Sequence, residues 1–76
     1  MTQRPEELVW VTGTLVKSTR RALIVAAIDK RWQRSRHCTL ARSLVRAERP
    51  TPRATSTDWQ VPQWWAYQNK LEYAHA

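Results

Sequence analysis

The chain has 76 residues, one cysteine, one glycine, five tryptophans and a formal net charge of +7. That length allows a single domain near the lower limit of independent folding, without an internal disulfide. Cys38, His37 and His75 fall one short of the usual structural zinc set. Stability must therefore come from apolar burial, in which the indole rings are the largest pieces. No apolar run approaches the roughly 20 residues of a membrane span, and the polar start is no signal peptide. With a lone cysteine, this predicts a soluble cytoplasmic protein with no metal or cofactor and no membrane partner.

Met1 to Glu7 is polar and contains a proline, and is expected to be a flexible arm. Residues 8–73 should form the domain and 74–76 a frayed tail. Leu8 to Lys17 is rich in β-branched and aromatic residues and predicts a strand. Gly13 inside it points to a bulge or a close backbone approach. Lys17-Ser18-Thr19-Arg20 reads as a hairpin turn. Arg21 to Ile28 returns as an apolar run, which periodicity alone leaves open between strand and buried helix. The Leu-Ile-Val block and the short length favour a strand, while the alanines favour a helix.

Asp29 to Arg36 is a polar connection with four cations around Trp32, suited to a long hairpin tip. Residues 37–49 also allow two readings. As an amphipathic helix, Leu40, Ala41, Leu44 and Ala47 share one face and Arg42, Arg46 and Arg49 line the other. As strand, turn and strand, Cys38-Thr39-Leu40 precedes a turn near Ala41-Arg42-Ser43. Local propensity alone chooses the helix. Pro50 to Thr57 is a loop with nothing to bury. Trp59 and Val61 then alternate with Asp58 and Gln60 as in a short strand, and Pro62 suits the first position of a C-terminal helix.

Thr19-Arg20-Arg21-Ala22-Leu23, Thr39-Leu40-Ala41-Arg42-Ser43 and Val61-Pro62-Gln63-Trp64-Trp65-Ala66 follow one another in a telling order. The order resembles a family of small, mostly uncharacterised proteins from bacteriophages and other mobile elements. There a Thr-x-x-Ala-hydrophobic strand leads to Trp-(Ile/Leu)-Pro-(Lys/Arg)-Ser, and later to Val-Pro-x-Trp-(Leu/Trp)-Ala opening a short helix. The resemblance spans roughly residues 9 to 71. Thr39 stands where the motif has Trp and Ala41 where it has Pro, and the connection around Trp32 is longer. The resemblance implies a small, strongly curved antiparallel sheet or partial barrel closed by the C-terminal helix, and implies no known activity. It moves residues 37–46 from helix to strand–turn–strand. The expected fold is thus mainly β, with about four strands and one short C-terminal helix; an extra helix over 37–49 is the alternative.

Charge gives the clearest functional signal. Lys17 to Arg53 holds eleven cations against Asp29 and Glu48, a balance of +9, while the rest of the chain carries −2. Ten of the thirteen cations are arginines, the residue suited to bidentate contact with phosphate or carboxylate. Arg20, Arg21, Lys30, Arg31, Arg34 and Arg36 with Trp32 among them pair counterion-releasing charge with a stacking surface. Alternatively, arginine stems cover Trp32 and the charge only keeps the chain soluble.

The tandem Trp64-Trp65 lies about 100° apart on a helix, so one ring goes inward and the other sits at the margin or meets another chain. Trp64, Trp65 and Tyr67 are therefore the candidate protein interface. Catalysis is not expected: His37 and Cys38 are adjacent on a strand and point to opposite faces, and the carboxylates show no paired spacing. Two functions result. One is a non-catalytic nucleic-acid-binding accessory protein of a phage or mobile element. The other is a protein-interaction or inhibitor module, self-associating or meeting an acidic host protein.

Overall fold

From Leu8 to Gly13 buried and outward residues alternate, from Thr14 to Ser18 all are exposed, and the rest of the sheet is assembled on this strand. A computed structural model describes residues 7–76 of the chain; the arm expected over 1–7 lies outside them except for Glu7. The elements are β1 (Leu8–Ser18), β2 (Ala22–Ile28), β3 (Ser35–Ala41), a single 3-10 turn (Arg42–Leu44), β4 (Ala47–Pro50), β5 (Thr57–Pro62), α1 (Gln63–Gln68) and β6 (Ala74–His75). They form one antiparallel sheet in the order β3-β2-β1-β5-β4, with β6 also pairing to β1. The sheet has six strands, against the four or so expected, and it does not close on itself. β4 is the short strand expected after the turn near Ala41-Arg42-Ser43, begun a few residues later, and β6 stands where a frayed tail was expected.

β1 serves two halves of the sheet. Its first part, Leu8 to Gly13, pairs with β5, and its second part, Gly13 to Ser18, pairs with β2. β6 takes the edge that β2 leaves free, setting His75 against Val9 and Ala74 against Trp10. Gly13 stands at the exchange, opposite Ala27 on one side and Thr57 on the other. A Cβ there would lie 3.1 Å from the Ala26 carbonyl oxygen and 3.6 Å from Ala27 Cβ. Close backbone approach is thus the reason for the glycine, while the bulge lies further on, where Val16 is the extra residue between Leu15 and Lys17. Gly13→Ala, which would gain about 0.5–1 kcal/mol in an ordinary strand position, is expected instead to lose about 1–3 kcal/mol by overpacking against fixed backbone. Urea denaturation should show a lower midpoint, and an unchanged or raised one would contradict this.

β3 settles the ambiguous segment. Leu40 and Cys38 face the core opposite Leu23 and Val25, while His37 and Thr39 are exposed. The second edge of β2 needs a hydrogen-bonding partner, and this requirement overrides the helical propensity of residues 37–49. The chain then turns at Arg42. The Arg42 N–H donates to the Arg21 carbonyl at 3.0 Å, and its guanidinium donates to the Thr19 carbonyl and the Ser18 hydroxyl. One arginine thereby ties the 3-10 turn to the β1–β2 hairpin.

The core is built by Val9, Val11, Val25, Leu40, Val61 and Leu71 around Trp59 and Trp65. The Trp65 indole donates to the Thr39 carbonyl at 3.2 Å, whereas the Trp59 indole N–H has no acceptor among the described residues. Pro62 is the N-cap of α1, one position before the first helical residue expected of it. At the other end Lys70 takes φ 56°, with its N–H on the Tyr67 carbonyl and the Leu71 N–H on the Ala66 carbonyl, both at 3.0 Å. This is the Schellman arrangement, with lysine in the place glycine usually fills, and it drops Leu71 back into the core beside Ala66. Among the described residues no helix is long and apolar enough to cross a membrane.

Candidate nucleic-acid interface

The connection between β2 and β3 is shaped by one carboxylate. Asp29 is 2% exposed. Its Oδ1 accepts the N–H groups of Arg31 at 2.8 Å and Trp32 at 2.9 Å, and its Oδ2 accepts from the Arg36 guanidinium at 3.1 Å. The backbone closes the same loop: Asp29 N–H donates to the Arg34 carbonyl, and Gln33 N–H to the Asp29 carbonyl. Gln33 turns the chain with φ 56°, and its side chain donates to the Lys30 carbonyl and the Glu72 carboxylate. The Trp32 N–H bond first, then that from Arg31 and the Arg36 charge, hold the Asp29 carboxyl below its ordinary value, although burial opposes them.

The loop so fixed raises Trp32 into solvent, at 59% exposure. The guanidinium carbons of Arg31 and Arg34 lie 5.0 and 5.9 Å from its ring. Charge for phosphates and a surface for bases are thus held side by side. Arg36 stands at the start of β3, beside the loop, and is paired with Asp29. Arg20 and Arg21 sit at the β1–β2 turn, at the far end of β2 and some 20 Å away at about 3.3 Å per residue. The structure therefore brings together Lys30, Arg31, Trp32 and Arg34 and leaves Arg20 and Arg21 apart.

A further group completes the site. Beyond α1 the chain returns beside the end of β2. Lys30 N–H donates to the Lys70 carbonyl at 2.8 Å, Glu72 N–H donates to the Ile28 carbonyl, and Asp29 bridges to Leu71. This sets Lys70 and Tyr73 against the loop. Lys30 Nζ lies 5.9 Å from the Tyr73 ring, and the Tyr73 hydroxyl accepts from the Gln63 side chain at 3.2 Å. A cleft of about 300 Å³ opens between the loop and the end of α1, lined by Lys30, Arg31, Tyr67, Lys70, Leu71 and Tyr73. Lys70 and Tyr73 carried no signal in the sequence, since the fold alone brings residues 70–73 to the loop.

Of the aromatic helix residues, Trp64 is half-exposed and Tyr67 is 77% exposed. Trp65 is a correction to the interface expected there: its ring is in the core and is not available to a partner. His37 is exposed and Cys38 is buried, on opposite faces of β3, and no trio of metal-ligating side chains occurs among the described residues. In comparisons with known proteins, no family model, curated protein or solved structure matches the chain.

Proposed function

We propose that the protein is a non-catalytic nucleic-acid-binding accessory protein, and that residues 29–34 are its grip. The observation that carries this is the exposed Trp32 ring beside the Arg31 and Arg34 guanidiniums, on a loop held in shape by a buried carboxylate. Arginines neutralise phosphates and release counterions, and the indole offers a face to any base, so binding is weakly sequence-specific. Its carrier is read as a phage or mobile element on the resemblance of its motifs. The test is a fluorescence-anisotropy titration of labelled oligonucleotides at low and moderate salt. Binding in the micromolar range or tighter, falling steeply with salt, is expected. Trp32→Ala should weaken it by about 5- to 150-fold, corresponding to roughly 1–3 kcal/mol for one stacked base. Absence of binding even at low salt would sink the reading.

A second reading is favoured by Trp64 and Tyr67. Three residues apart on α1, they share a helical face and are both exposed, as aromatic anchors of protein interfaces are. In that reading an acidic host protein or a second copy of the chain is the partner. Partner binding would then survive Trp32→Ala and fail in Trp64→Ala.

A further inference from the structure

We propose that the cleft between the 29–34 loop and the end of α1 receives one unpaired nucleobase of a single strand, so that the protein prefers single-stranded to double-stranded nucleic acid. The inference rests on the nucleic-acid reading and names the substrate class of that same site. The aromatic rings at the cleft are those of Tyr67 and Tyr73, and Leu71 lies beneath them with its own side chain buried in the core. Lys30, Arg31 and Lys70 supply cationic groups, and among the described residues no carboxylate lines it. Such a lining suits the faces of a flat ring on a strand whose backbone carries phosphate. A neighbouring cavity of about 270 Å³ has the opposite character: Asp58 and Glu72 line it, and its arginine, Arg49, is held by Asp58 at 3.1 Å. An anionic ligand is directed to the first cleft and away from the second.

The cleft is also preformed. Its two sides are joined by the Lys30 N–H bond to the Lys70 carbonyl, Lys70 is fixed by the helix-ending turn, and Tyr73 is held by Gln63. The backbone that carries these side chains, and the Tyr73 ring, are therefore in place before binding, which favours affinity. A base inside a duplex offers only its edge to the grooves, and its faces reach a pocket of this kind only when it is unstacked. Arg31 lies both at the cleft and 5.0 Å from the Trp32 ring, so a strand with one base in the cleft has its next base within reach of Trp32.

The experiment compares a labelled single strand, the matching duplex and an abasic single strand, each titrated at a low and a moderate salt concentration against wild type, Tyr67→Ala and Lys70→Gly. Tyr67 is exposed, so its loss should leave the fold intact; glycine at 70 accepts the positive φ while removing the ammonium group. Wild type is expected to bind the single strand about 10-fold or more tighter than the duplex or the abasic strand, the scale of one stacked base. Tyr67→Ala should remove most of that preference with little change for the duplex. Lys70→Gly should flatten the salt slope for the single strand by about 0.7. Equal affinity of wild type for single strand and duplex would overturn the cleft assignment and leave the loop binding through its arginines alone; an equal loss on both in Tyr67→Ala would overturn the cleft assignment while leaving the Trp32 loop as a binding site. No binding to any of the three would overturn both.

Discussion

Replacing Trp65 with alanine is expected to cost about 3–5 kcal/mol, the range for deleting a buried aromatic side chain. A domain of this size holds roughly 4–11 kcal/mol in total, so the variant should be partly unfolded at room temperature or melt far below wild type. The physical reason is that Trp65 is both the inward ring of α1 and a tie to a strand: its indole donates to the Thr39 carbonyl on β3. Trp65→Phe keeps most of the volume and loses that bond, and should cost about 1–2 kcal/mol. Trp64→Ala, one residue away and half-exposed, should cost well under about 1 kcal/mol. Urea denaturation of the three variants decides it. A costlier Trp64→Ala would mean that the inward and outward rings are reversed.

Asp29→Ala is expected to produce the other large effect, in a direction that charge alone does not predict. The substitution raises the net charge from +7 to +8, which by bulk electrostatics should strengthen binding to a polyanion. Yet it leaves the N–H groups of Arg31 and Trp32 without their acceptor and Arg36 without its partner. The loop then loses the shape that holds Trp32 between its arginines, so oligonucleotide affinity should fall and the melting temperature with it. Stronger binding by Asp29→Ala would show that loop shape is irrelevant and that only charge counts.

The same carboxylate sets a pH dependence. Its folded-state value is lowered, first by the Trp32 N–H bond, from an ordinary 3.8. The native state therefore favours the ionised form. The stability this contributes is complete above 3.8, fades as the pH falls below it, and is lost once the pH has passed through the lower folded value. Acid denaturation curves of wild type should carry this loss, and those of Asp29→Asn should lack it.

Much of the scaffold was legible because local pattern and tertiary demand agree in it. Leu8 to Lys17 is rich in β-branched and aromatic residues, Trp59 and Val61 alternate with polar neighbours, Pro62 stands just before the helix, and the 50–57 segment has little to bury. Residues 37–49 were not decided by their own chemistry: helix and strand readings both place Leu40 inward, and the bare edge of β2 chooses between them. For the site, the Trp32 cluster could be read from arginines around an indole. The part of Asp29 had an available signal, an aspartate opening a polar connection and able to cap N–H groups two and three residues on. Which of Trp64 and Trp65 turns inward depends on helix phase relative to a sheet that the sequence does not describe. The separation of Arg20 and Arg21 from the loop depends on β2 running straight between them.

The exchange of partners at Gly13 also sets the order in which chain closures can occur. Pairing Gly13 with Ala27 closes a span of 27 − 13 = 14 residues, whereas pairing it with Thr57 closes 57 − 13 = 44. In a flexible chain the longer closure costs about 1 kcal/mol more in entropy, so the meander of β1, β2 and β3 is favoured to assemble ahead of the β1–β5 ladder. In that interval Val9 and Val11 have neither their ladder partners nor the cover of α1, and the first half of β1 is a bare edge. The half of the strand that waits longest is therefore the one most open to pairing with another molecule.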